Sequence, residues 1–239
     1  LYYVVPESLN ILNTNLDDTN LGYLTDNNLT TQASSNTDIK ISLEVTAQNW
    51  ITLYNLKNIT EVNMQLKDKQ GNILREYIQY LDDSLAFDIW GYFYNPLEFK
   101  SQVNQELLII ADGILDITLK VAEQGYIGGI ILGRTIFLGL NEYNASVGLQ
   151  DFSKIDIVDG NINITEKKLQ SIYRVKVYTE PYYVASLKRR FAKLRLQPVL
   201  WIGSKTDEAK IVFGYFNSFE PLYNVNGKAV YTLEIQGVA

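Results

Sequence analysis

The sequence predicts a mainly β protein. An antiparallel β-sandwich over residues 37–140 is followed by an α+β domain over 141–239, with one helix on an antiparallel sheet. Three observations carry this reading. From Asp38 onward, short runs alternate apolar and polar residues, which is the period of half-buried strands. Turn residues separate the runs, and the helical crossovers that parallel sheets need are missing between them. After residue 140, a single segment has a clear helical period.

Residues 1–36 are rich in Asn, Thr, Ser and Asp and read as an extended N-terminal arm, mostly loop, ordered by packing on a partner. In "IKISLEVT", Ile39, Ile41, Leu43 and Val45 alternate with polar neighbours and predict a strand. "NWITLYNL" and "EVNMQLKD" follow, and the turn "KQGN" joins the latter to "ILREYIQY" as a hairpin. "AFDIWGYFY" reads as a strand closed by Asn95-Pro96. "ELLIIAD" and "DGILDITLKVAEQ" add two more, and the apolar window "GYIGGIILGRTIFLGL" (125–140) ends the series. Beyond it, Asp159-Gly160 is the strongest type I′ turn signal in the chain. "SIYRVKVYTE" predicts a strand. "YYVASLKRRFAKLRL" predicts the helix, with Val184, Leu187, Phe191 and Leu194 on one stripe between Pro181 and Pro198. "VLWIGS", "KIVFGYFNSFEPLYN" and "AVYTLEIQGVA" complete the sheet.

Composition narrows the function classes. A chain of 239 residues with 46% hydrophobic residues can bury a large core. Its net charge of −6 argues against nucleic-acid binding through a general basic surface, so no specific nucleic-acid binding is expected. There is no Cys and no His, which removes disulfides, thiolate zinc sites, His-based triads and the usual proton shuttle. The expectation is a protein that is not an enzyme and uses no cofactor and no metal. The window 125–140 is shorter than the roughly 20 apolar residues a membrane helix needs and carries Arg134 inside it, so no membrane insertion is expected. It also lacks the GxxxxGK[ST] and GxGxxG spacings of phosphate-binding loops and reads as a core strand plus a hinge. The start "LYYVVPESLN" lacks Met and the n- and h-regions of a secretory signal, and reads as a processed or trimmed chain. The sequons at Asn28, Asn58, Asn144 and Asn163 read as chance matches in an Asn-rich chain.

The second half carries an ordered set of signatures: "GRTIFLG", "YNASVGLQDFSK", "DGNINITEK", "YRVKV", the helix, "LQPVLWIG", "VFGYFNSF" and "YTLEIQGV". With the opening "YYVVPESLN", this set resembles a family of bacteriophage minor tail or tail-tip structural proteins. The resemblance is best over 126–238 and thin in the middle, and each motif alone is only a strand plus a turn. It implies a galactose-binding-like, jelly-roll sandwich before the α+β tail-assembly domain. It also implies a virion structural protein, made in the bacterial host cytoplasm and placed in the phage tail. The implied partners are other phage tail proteins and copies of itself in a symmetric ring. The alternative is a carbohydrate-binding module that recognises a host surface glycan.

Several constellations bear on these alternatives. Trp50, Trp90, Tyr92 and Tyr94 read as sandwich core, as a subunit interface, or as a platform on which a sugar stacks. Alternation sets Trp90, Tyr92 and Tyr94 on one strand face. Lys188, Arg189, Arg190 and Lys193 lie off the helix's apolar stripe and read as a solvated face or as inter-subunit cations. Gly133, Arg134 and Gly139 mark the domain junction, with Arg134 expected to pin the two domains through a carboxylate or carbonyls. The carboxylates of Asp82, Asp83, Asp116, Glu142, Asp151 and Asp156 are the candidates for a glycosidase pair, which needs two carboxyls facing across a substrate.

Overall fold

The computed structural model describes residues 1–26, 31–82, 90, 98–142, 145–158, 161–165, 169–223 and 227–238. The chain is mainly β, and every ladder among the described residues is antiparallel. It divides into two compact units, and the division is not the one expected. Leu1–Val5 joins Thr135–Ala239 in a composite unit, while Pro6–Arg134 forms the other. The first strand, β1 (Tyr2–Val4), therefore belongs with the second half of the chain. The 1–36 arm is thus corrected: its first residues are a doubly paired strand, and Ile11–Thr14, Asp18–Thr25 and Ala33–Ser35 are regular elements of the Pro6–Arg134 unit. The boundary near residue 140 moves to 134/135.

The Pro6–Arg134 unit contains β2 (Ile11–Thr14), α1 (Asp18–Thr25), β3 (Ala33–Ser35), β4 (Ile39–Val45), β5 (Trp50–Tyr54) and β6 (Lys57–Lys67). It continues through β7 (Ile73–Tyr80), β8 (Gln102–Glu106), β9 (Gly113–Ile127) and β10 (Gly129–Gly133). One sheet has the order β2-β4-β9-β6-β7, with β3 added on β9, and a three-stranded sheet has the order β10-β5-β8. Register explains the first sheet's core. Ile41, Ile117 and Met64 form one row across β4, β9 and β6, and Leu43, Leu115 and Leu66 form the next. Each side chain in these rows is buried, as period-2 alternation requires. Leu53, Val103 and Ile130 of the smaller sheet belong to the same apolar core.

The β6–β7 turn falls where Gln-Gly-Asn predicts it. The Asp68 carboxylate accepts the backbone N–H groups of Gln70 and Asn72, and Gly71 takes φ +87°. The helix α1 was missed. Its signal is Asp17, which caps it by accepting from the Asn20 N–H. "ELLIIAD" is not a strand, because the strand it was assigned lies earlier, at β8.

The composite unit contains β11 (Thr135–Phe137), β12 (Leu140–Asn141), β13 (Ser146–Asp151), β14 (Lys154–Val158), β15 (Asn161–Thr165) and β16 (Leu169–Thr179). After a 3-10 turn at Pro181–Tyr183 come α2 (Val184–Lys193), β17 (Val199–Ile202), β18 (Ile211–Phe216), β19 (Glu220–Tyr223) and β20 (Ala229–Gly237). The sheet order is β11-β1-β17-β18-β20-β16-β12, with β13 on β16 and β19 on β20. β14 and β15 pair only with each other among the described residues, and the turn expected at Asp159-Gly160 lies outside them. The expected helix is α2, and Val184, Leu187 and Phe191 are its buried stripe. Phe191 meets Trp201, Phe216, Phe219 and Tyr231 at ring-centroid distances of 4.5–6.3 Å. The segment 211–223, expected as one strand, is two strands on the same neighbour.

Two predictions follow from this topology. β1 and β11 are adjacent antiparallel strands, with Val4 opposite Thr135, so Pro6–Arg134 is an insertion between two partners of a hairpin. Replacing Val5–Arg134 by Asn-Gly supplies the two-residue type I′ loop this register needs. The product is expected to unfold cooperatively by circular dichroism, and loss of cooperativity would show that the composite unit needs the insert. In the inserted unit, Asp116 accepts from Lys67 at 2.6 Å and from Ser42 at 2.5 Å. Burial pushes its carboxyl up, but these two bonds outweigh it and hold it below the usual carboxylate range. A depressed carboxyl stabilises the fold above its unfolded pKa of about 3.9 and loses that contribution as pH falls through the folded value. Asp116→Asn is expected to cost about 1 kcal/mol or less near pH 7, because the pair is partly solvated, and to flatten the acid limb of denaturation.

Candidate functional site

A cavity in the composite unit measures about 440 Å³, a size typical of ligand clefts. One wall is the chain from Phe137 to Leu140, between β11 and β12. The Leu138 N–H donates to the Leu1 carbonyl, and the Leu138 carbonyl accepts from the buried Tyr231 hydroxyl at 2.8 Å. These bonds fix the wall's height above the core. Gly139 turns it with φ +143°, and a Cβ there would run into the Tyr178 carbonyl oxygen. Tyr183, just before α2, and Ser186, Leu187 and Arg190 on its first turns also line the cavity, as does Lys228, the residue before β20. Tyr178 and Thr179 at the end of β16, and Glu180 after it, complete the lining.

The lining is apolar at Phe137, Leu138, Leu140 and Leu187 and charged at Glu180, Arg190 and Lys228. Arg190 forms a hydrogen bond with the Tyr3 hydroxyl. Burial pushes that hydroxyl up, against the pull of the guanidinium. The Tyr178 hydroxyl lies 3.2 Å from Glu142, and this bond raises its pKa. Such a cleft can hold an apolar group with a polar edge. Among its described lining residues Glu180 is the one carboxylate, so it lacks the facing pair that glycoside hydrolysis uses.

The carboxylates singled out from the sequence have other places. Asp116 is ion-paired, Asp151 ends β13 and accepts the Ser153 N–H, and Glu142 serves Tyr178 and Lys176. Asp82 lies in an isolated bridge with Phe99, Asp156 lies in the β14–β15 ribbon, and Asp83 is outside the described residues.

The aromatic set does not form a platform as expected. Trp50 is 1% exposed on β5, where its indole N–H donates to Thr52, and is a core residue. Trp90 is 67% exposed and helical, so the strand face that was to align it with Tyr92 and Tyr94 is corrected. Tyr92 and Tyr94 lie outside the described residues. Lys188, Arg189, Arg190 and Lys193 are all exposed on α2, and only Arg190 reaches the cleft.

Gly133 ends β10, and its carbonyl accepts the Asn49 N–H at 3.1 Å. Arg134 donates to the Thr46 carbonyl at 3.2 Å and lies 4.0 Å from the Glu7 carboxylate. All of these partners belong to the Pro6–Arg134 unit, so the pin expected between two domains is a clasp within one. Gly139 lies inside the composite unit rather than at the junction. Sequence reasoning missed Tyr178, Tyr183, Glu180 and Lys228, since nothing local announces that a loop lysine approaches a helix 40 residues earlier.

Searches of family models, curated proteins and solved structures find no match to the chain. Among the described residues, no group of His, Cys, Asp and Glu is arranged to hold a metal, and no helix is long and apolar enough to cross a membrane. The cleft wall gives a direct test. Gly139→Ala is expected to cost more than about 1 kcal/mol, from backbone strain and the Tyr178 carbonyl. Gly148→Ala, where a Cβ meets nothing within 4 Å, is expected to stay within about 0.5 kcal/mol in urea denaturation.

Proposed function

We propose that this chain is a non-enzymatic structural protein of a bacteriophage tail or tail tip, which assembles into a symmetric ring with copies of itself and with other tail proteins. The observation that carries this reading is the sheet edge at β13, which pairs only with β16 among the described residues and exposes apolar side chains. All six residues of β13 are exposed, Val147 and Leu149 among them, and Leu149 is 71% exposed. Phe152, which follows β13, and Leu169, opposite Asp151 on β16, are exposed as well. An edge that offers both unpaired backbone groups and large apolar side chains is a template for another chain. In a ring, such an edge is covered by the neighbour.

The edge strand β7 supports the same reading, since Ile73, Leu74, Ile78 and Tyr80 are all exposed along it. The shared core of the two sheets in Pro6–Arg134 fits the jelly-roll, galactose-binding-like sandwich that the tail family implies. In the composite unit, α2 on its antiparallel sheet fits that family's α+β domain.

Light scattering after size-exclusion chromatography is expected to show a multimer, alone or with neighbouring tail proteins, and Leu149→Lys is expected to weaken it. A strict monomer that joins no virion fraction would sink the proposal. The second reading, glycan recognition, keeps one observation, the exposed Trp90. It requires saturable glycan binding that Trp90→Ala abolishes with folding intact, and a silent array of host glycans removes it.

A further inference from the structure

We propose that the cationic face of α2 is the surface by which one copy of this chain grips the acidic Pro6–Arg134 unit of a second copy, head to tail. This rests on the assembly role above and names the two surfaces that meet.

The first observation is a partition of charge. Pro6–Arg134 holds 8 Lys and Arg against 17 Asp and Glu, 8 − 17 = −9. The composite unit holds 13 against 10, 13 − 10 = +3. The chain's overall −6 is therefore the sum of two units of opposite sign.

The second is where the excess cations sit. Lys188, Arg189, Arg190, Lys193 and Arg195 fall within eight residues, and α2 contains no acidic residue. All five are exposed, and none forms an ion pair with a described residue. Several cations elsewhere are matched, Lys67 with Asp116, Lys120 with Glu61, Arg174 with Glu234, Lys176 with Glu142, and Lys210 with Asp207, whereas α2 gathers unmatched ones in one short segment. The helix dipole accounts for cations in the last turn, which covers Arg190 and Lys193 but not Lys188 and Arg189. Arg189 and Lys193 also stand at i,i+4 with like charge, which disfavours an isolated helix. The dipole leaves Lys188 and Arg189 without a stabilising role in the fold, whereas an acidic partner would match them.

The complementary surface is supplied by the chain. A unit at −9 repels a polyanion, which disfavours a nucleic acid as the occupant. The same unit attracts the α2 face of a second copy. A cation face meeting a different surface is a heterologous contact, which repeats about an axis and closes into a ring where its rotation closes. Its charges set register and encounter rate more than affinity.

The test uses the full chain. Equal amounts of isotopically heavy and light protein are mixed and treated with a zero-length carbodiimide, which joins a lysine to a touching carboxylate. Heavy–light links from Lys188 or Lys193 to carboxylates within Pro6–Arg134 are expected. In parallel, the triple variant K188E/R189E/K193E is expected to self-associate at least about tenfold more weakly and to lose the salt dependence of the native protein. Mixed with native protein, it should still offer its acidic unit and so cap growing assemblies.

Three outcomes would overturn the proposal: heavy–light links from these lysines only to the composite unit, multimers indifferent to salt and to the variant, or a duplex DNA probe bound through the same three residues. The tail role is judged separately. A virion component whose multimers ignore salt loses only the α2 contact, and a salt-sensitive multimer absent from every virion fraction loses only the tail role.

Discussion

The pairing of β1 with β11 and β17 is the constraint on which the rest of the structure depends. Tyr3 stands opposite Ile136 on one side and Trp201 on the other. Its ring lies 5.9 Å from the Trp201 ring, so five N-terminal residues help to close the aromatic core of a unit that resumes at Thr135. Without β1, the sheet would present two unpaired edges where it now has a continuous ladder. Because the chain leaves β1 and returns as β11, the inserted unit begins and ends at neighbouring positions. That is the geometry in which an insertion least disturbs its host.

Phe191 does for α2 what β1 does for the sheet. Its ring stacks on Trp201 at 10° and meets Phe219 and Tyr231, which fixes the rotation of the helix about its own axis. The polar ends of these aromatics are satisfied inside the core. The Trp201 indole donates to the Gly214 carbonyl and the Tyr231 hydroxyl to the Leu138 carbonyl. With that rotation set, Leu187 and Arg190 line the cleft while Lys188, Arg189 and Lys193 face solvent. A packing contact in the core thereby determines which charges the surface offers.

Much of the fold was legible because its signals are local. Ile39, Ile41 and Leu43 alternate, Gln70-Gly71-Asn72 turns, and Val184, Leu187 and Phe191 repeat at helical spacing between two prolines. The errors arose where a local pattern had more than one tertiary meaning. The window from Gly125 to Leu140 looked like one core strand and a hinge. It is the end of β9, the whole of β10, β11 and the start of β12, distributed over three sheets. Trp50 alternates like a residue on a half-buried strand, but all five residues of β5 are buried, so both of its faces are covered. The candidate cleft was not legible, because its walls come from segments far apart in sequence that share no motif.

By itself, the sequence determined that the chain is mainly β and antiparallel, where strands such as β4, β7, β16 and β20 lie, and that one amphipathic helix lies between Pro181 and Pro198. These follow from periodicity and turn chemistry, which act over a few residues. Only the tertiary structure decided that residues 1–5 belong to the second unit, that Arg134 clasps Thr46 and Glu7 within one unit, and that Lys228 reaches a cleft beside α2. Strand pairing across 130 residues is chosen by which edges and apolar faces remain to be covered once the local elements have formed, and that competition is settled in space.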